Sequence, residues 1–123
     1  MRRSVEEYLQ DILQASRNAR RFVEGLTYEQ FESDIEKVYA VSRALEIIGE
    51  AVKKIPAPLR KRYPQIDWRS VAGMRDVLIH GYFHIDLRRV WQVIQQDLTP
   101  LEAAVSEILR EVRESRGGSD EEQ

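Results

Sequence analysis

Ser4-Val5-Glu6-Glu7-Tyr8-Leu9-Gln10-Asp11-Ile12-Leu13-Gln14-Ala15-Ser16-Arg17-Asn18-Ala19-Arg20-Arg21-Phe22-Val23-Glu24-Gly25-Leu26 decides the fold class of this chain. Val5, Tyr8, Leu9, Ile12, Ala15, Ala19, Phe22, Val23 and Leu26 recur at steps of three and four, which places them on one face of a helix. Ser4-x-x-Glu7 has the form of a capping box, in which each side chain satisfies the other residue's free backbone N–H. Gly25 supplies a stop.

The same logic extends along the chain. Thr27-x-x-Gln30 and Ser33-x-x-Glu36 offer two further caps, so a short turn precedes a second helix. That helix carries Ile35, Val38, Tyr39, Ser42, Leu45, Ile48 and Val52 on one side and ends before Pro56 and Pro58. From Ile55 to Asp67 three prolines punctuate a connection with one helical turn around Leu59 to Tyr63. Asp67 caps a third helix from Trp68 to about His80, and Gly81 lets the chain turn. Asp86 caps a long fourth helix whose apolar set is Leu87, Val90, Trp91, Ile94, Leu98, Leu101, Val105, Ile108 and Val112. Pro100 lies inside it and predicts a kink. No segment alternates as a strand does. The expectation is an all-α, up-and-down bundle of about four to five helices with a kinked last helix. It occupies residues 1–115 as one domain, with 116–123 as a disordered acidic tail. Apolar stripes of this length also suggest a partner surface, and a homodimer is expected.

Composition narrows the class. The 123 residues are 42% hydrophobic and 33% charged, with net charge −2 and no cysteine. That length suits one domain. Without cysteine there is no disulfide framework, thiolate metal site or cysteine nucleophile. The longest apolar runs are a few residues, against the ~20 needed to span a bilayer. No apolar segment follows the two N-terminal arginines, so no secretory signal is read there and a cytoplasmic protein is expected, with no membrane association. Charge is unevenly spread: residues 51–75 hold Lys53, Lys54, Arg60, Lys61, Arg62, Arg69 and Arg75 against Asp67 alone. Lys53, Lys54, Arg60, Lys61 and Arg62 are candidate contacts for a polyanion such as RNA. On charge alone a solvated connection between helices is the slightly stronger account.

The chemistry-bearing residues cluster in Gly73-Met74-Arg75-Asp76-Val77-Leu78-Ile79-His80-Gly81-Tyr82-Phe83-His84. Asp76 and His80 are one helical turn apart, so the carboxylate could orient the imidazole and favour its protonated form. Arg75 and His80 are about 140° apart around a helix. The long arginine, or a second copy across a dimer, could close that gap. These residue types fit RNA cleavage without a metal. The 2′-hydroxyl attacks the adjacent phosphate, which needs a base, an acid for the leaving 5′-oxygen, and positive charge on the phosphorane. Histidine can be either acid or base near neutrality, and arginine presents a fork of donors to phosphate oxygens. Spacing alone still favours an ordinary surface pair at Arg75 and Asp76, with His80 placed against the helix macrodipole. His80-x-x-x-His84 has the spacing of two zinc ligands, but it lacks the glutamate of His-Glu-x-x-His, and no metal or other cofactor is expected. Trp68 and Trp91 read as core. Glu46 and Glu50 read as a helix edge, with Glu50, between Gly49 and Ala51, the better candidate for burial.

The ordered set resembles the HepT-like toxins of the HEPN superfamily, small all-α ribonucleases of prokaryotic toxin–antitoxin pairs. The matching features are Arg75-x4-His80-x-Tyr82 with Phe83 following, and Arg43-Ala44-Leu45-Glu46-Ile47-Ile48-Gly49-Glu50-Ala51 upstream. Pro64-Gln65-Ile66-Asp67-Trp68, Ala72-Gly73-Met74-Arg75, Tyr8-Leu9-Gln10-Asp11-Ile12-Leu13 and Phe31-Glu32 complete the set, which spans roughly residues 4–112. The resemblance implies a metal-independent endoribonuclease, acting as a homodimer with two Arg/His pairs in a cleft between subunits. Arg75 and His80 would be catalytic and Asp76 supporting. Tyr82 would be the residue that a partner antitoxin, a minimal nucleotidyltransferase of the MNT type, modifies with AMP. The alternative it leaves is a non-catalytic HEPN-type module that binds nucleotide or scaffolds a nucleotidyltransferase.

Overall fold

The computed structural model describes residues 3–73 and 86–122. The described backbone is helical, with no strand among the described residues. The elements are α1 (Val5–Phe22), α2 (Tyr28–Glu32), α3 (Ile35–Lys53), α4 (Ala57–Lys61), α5 (Leu87–Gln92), a π-helical turn (Val93–Asp97) and α6 (Leu98–Glu122). Residues 68–73 are also helical. This is the all-α bundle expected from the apolar spacing.

Each start has a local chemical cause. Ser4 Oγ accepts from the Glu7 amide at 3.2 Å. Glu7 does not complete a capping box: its carboxylate takes the Ser4 hydroxyl and the Arg3 guanidinium instead. The reciprocal box forms at Thr27 and Gln30, with bonds of 3.1 and 2.9 Å. For α3 the cap is Asp34, whose carboxylate accepts from the Lys37 amide at 3.2 Å, and not the expected Ser33. Asp accepts at an N-cap as well as Ser does, and its position one residue later fixes the start. α1 closes at Val23, and Gly25 at φ 79° then makes the reversal the sequence assigns to it.

α1 packs against both α3 and α6. The core they share includes Leu9, Ile12, Ala19, Val41, Leu45, Ile48, Val105 and Ile108. Phe31 seals one end, fully buried, with its ring centroid 5.5 Å from that of Trp91. Two residues counted on the apolar side of α3 lie outside it: Ile35 is 64% and Tyr39 66% exposed. Glu50 is exposed too, so the small neighbours on either side do not bury it.

The break expected at Pro100 takes the form of the π turn preceding it. Proline has no N–H to give the carbonyl four residues back, and its ring crowds that carbonyl. The turn widens to relieve this, and the Leu98 amide reaches five residues back to Val93. The apolar series from Val90 to Ile108 stays buried through the break. Helix continues to Glu122 among the described residues.

One polar group crosses the core. Glu102 on α6 is 9% exposed and Ser16 on α1 is fully buried. Ser16 donates to Oε2 of Glu102 at 2.7 Å, and Arg20 grips both carboxylate oxygens at 2.7 and 2.8 Å. Burial raises the Glu102 pKa, but the bonds from Arg20 and Ser16 outweigh it and hold the carboxyl below its ordinary value. A lowered carboxyl contributes stability that is complete above the ordinary carboxylate range and is lost as the pH falls through the lowered value. Glu102→Gln is therefore expected to lose about 2 kcal/mol in urea denaturation at pH 7. The gap between variant and parent should narrow below about pH 4.

Candidate active site

Arg75, Asp76, His80, Tyr82 and His84 lie outside the described residues, as does the end of the third helix expected near His80. What the structure describes is how the chain is anchored on either side. Asp67 Oδ1 accepts from the Ser70 amide at 3.0 Å, the cap the sequence assigns to it. Trp68 is buried, and its indole N–H donates to the Tyr63 carbonyl at 3.1 Å. Ile55, Tyr63 and Ile66 are buried with it, so the proline-rich connection is fixed to the core by four large side chains. On the far side Asp86 caps α5 through the Arg89 amide at 3.1 Å. Arg89 also donates to the Ser70 hydroxyl at 3.3 Å and joins the two flanks directly.

Lys53 and Lys54 are exposed at the end of α3 and line an open groove with Arg3, Tyr8 and Arg43. Arg60, Lys61 and Arg62 belong to α4 and its cap. Arg62 is taken up by Glu111 of α6 at 3.4 Å. The Tyr63 phenol is raised above its ordinary value by burial first and by the neighbouring Glu111 carboxylate second.

A cavity of about 290 Å³ lies where α3, the 65–71 stretch and the π turn meet. Among the described residues its lining is apolar apart from Gln65, Ser70, Asp67 and Asp97. No group of three or more potential metal ligands occurs among the described residues. No described helix is long and apolar enough to cross a membrane.

Sequence reasoning missed the groove because its walls come from residues about 40 apart in the chain. The one available signal was the match of Arg43, Ile47, Glu50 and Lys54 to a single helical face.

Comparison with known proteins places this fold in a family. The family model for HepT-like ribonucleases matches residues 12–108. The "Probable ribonuclease HepT" of Thermococcus cleftensis is 44% identical over 82% of this chain and 92% of its own length. A protein of Methanocaldococcus jannaschii that carries the name of an RNase is 38% identical over 90% of this chain and 92% of its own. A similarly named protein of Caldanaerobacter subterraneus is 42% identical over 84% and 92%. No solved structure matches. The chain belongs to the HepT-like ribonuclease family.

The Asp67 cap starts the helix that leads into the Arg75–His80 stretch. Asp67→Ala is expected to lower stability by about 1 kcal/mol. Hydrogen exchange should quicken first at the Ser70 amide, which loses its acceptor.

Proposed function

We propose that this chain is a metal-independent endoribonuclease toxin of a toxin–antitoxin pair, cleaving RNA through Arg75 and His80. The observation that carries this reading is the sequence Arg75-x4-His80-x-Tyr82 within the matched range 12–108 of a ribonuclease family. His80 would transfer the proton of the attacking 2′-hydroxyl or that of the leaving 5′-oxygen. Arg75 would hold the phosphorane oxygens with its fixed fork of donors. One such pair per chain is a lean site, and a homodimer would supply two of each. Asp76, one turn before His80, would hold the imidazole's orientation.

Control would come through Tyr82. An MNT-type nucleotidyltransferase adding AMP to its phenol would place bulk and negative charge two residues from His80, which blocks the site and repels RNA phosphates. The toxin and antitoxin would meet in the cytoplasm.

His80→Ala and Arg75→Ala should fold as the parent does, by circular dichroism and thermal melting, and lose at least a hundredfold of RNA cleavage measured in EDTA. A His80→Ala protein that cleaves like the parent would refute the assignment. With the nucleotidyltransferase and ATP, intact mass should rise by AMP on the parent and stay constant on Tyr82→Phe.

A further inference from the structure

The cavity of about 290 Å³ between α3, the 65–71 stretch and the π turn has no part in the chemistry proposed for Arg75 and His80. Its floor is Leu45 and Ile48 of α3, Ile66 of the connection, and Leu98 and Leu101 of α6, all of them buried. Val93 and Leu98, whose backbone hydrogen bond closes the π turn, both line it. A π turn is wider than an α-helical one, and such turns are frequent at functional sites. The polar lining among the described residues lies toward the mouth: Gln65, Asp67 and Asp97 are exposed and Ser70 is half-buried. Asp67 and Asp97 thus bring two carboxylates from different elements to the rim of one apolar hollow.

We propose that this cavity binds a small amphipathic organic cation: an amidinium, guanidinium or ammonium group on an apolar body the size of one aromatic ring. Small-molecule sites are concave and mostly apolar, with a few polar groups that fix orientation, and their volumes start at about 300 Å³. Here the buried floor supplies contact area for the apolar body, and the volume limits that body to about one ring. The carboxylates decide the sign of charge. A cation at the rim forms charge-assisted hydrogen bonds with them, strengthened by the low-dielectric wall beside it. A neutral molecule of the same shape keeps the apolar contact and loses that attraction, and an anion meets like charge. Asp67 can serve helix and ligand together: its Oδ1 holds the Ser70 amide at 3.0 Å, and a carboxylate has a second oxygen to offer. The inference stands apart from the ribonuclease reading, since no step of RNA cleavage enters it.

The test titrates the full-length, 15N-labelled protein with benzamidine, with its neutral isostere benzamide and with benzoate, and follows backbone amide shifts by NMR without RNA present. Benzamidine is expected to saturate with a Kd on the order of 1 mM, ordinary for a ligand of this size. The shifts should centre on the amides of Ile66, Ser70, Val71, Leu98 and Leu101, which line the cavity. Benzamide should bind about tenfold more weakly and benzoate more weakly still. Asp67→Asn/Asp97→Asn removes both charges and keeps the helix start, because Asn caps as well as Asp does. That variant should melt as the parent does and bind benzamidine no better than benzamide. Glu107→Gln removes an exposed carboxylate elsewhere on α6 and should leave the affinity unchanged. No saturable shift with benzamidine, shifts centred elsewhere, or equal binding of all three compounds would overturn the proposal. So would parental affinity in the double Asn variant, or an equal loss in Glu107→Gln, which would assign the effect to net charge.

Discussion

The carboxylate of Glu102 is the interaction on which the rest of the packing depends. It takes a buried hydroxyl from Ser16 and both nitrogens of the Arg20 fork, fixing α6 to α1 in rotation and in register. Apolar side chains favour contact without choosing among similar registers, whereas a carboxylate gripped at two oxygens has one geometry. Once α6 is set, its apolar series falls on the core face down to Val90 of α5, beyond the π turn. α5 in turn carries Asp86 and Arg89, which hold the far flank of the residues bearing the proposed chemistry.

Much of this architecture could be read from residue spacing. The three- and four-residue steps of Leu9, Ile12, Ala15 and Ala19 describe a helix whatever surrounds it, and Thr27, Asp67 and Asp86 cap where they are expected to. The departures have a common origin. Ser33 and Asp34 are both good caps, and only the path of α3 chooses between them. Ile35 and Tyr39 obey the helical period yet face solvent, because period gives a face and not what lies opposite it. Ser16 and Glu102 look like surface residues in one dimension. They become a buried pair only when helices 86 positions apart are brought together. Pro100 announced a disturbance but not its form, since a kink and a π turn both relieve the same crowding.

The candidate site was legible in a different sense. Arg75, His80 and Tyr82 are local, so their order and spacing survive in the sequence. Spacing alone favoured a surface pair and a helix-end histidine; the family match at residues 12–108 is what turns that local pattern toward RNA chemistry. The groove at Arg3, Tyr8, Arg43, Lys53 and Lys54 is the opposite case, since its walls come from two helices far apart in the chain.

The central claim is that this chain cleaves RNA without a metal. The most direct measurement incubates the purified full-length protein with total RNA, including tRNA, in excess EDTA. Product ends are analysed, and intact mass is recorded on the same sample. The account predicts cleavage by protein of unmodified mass, leaving 2′,3′-cyclic phosphate ends, as attack by the 2′-hydroxyl requires. No cleavage by protein of unmodified mass, confirmed as a dimer in sedimentation, would contradict it and leave a helical module that serves a nucleotidyltransferase without catalysis of its own.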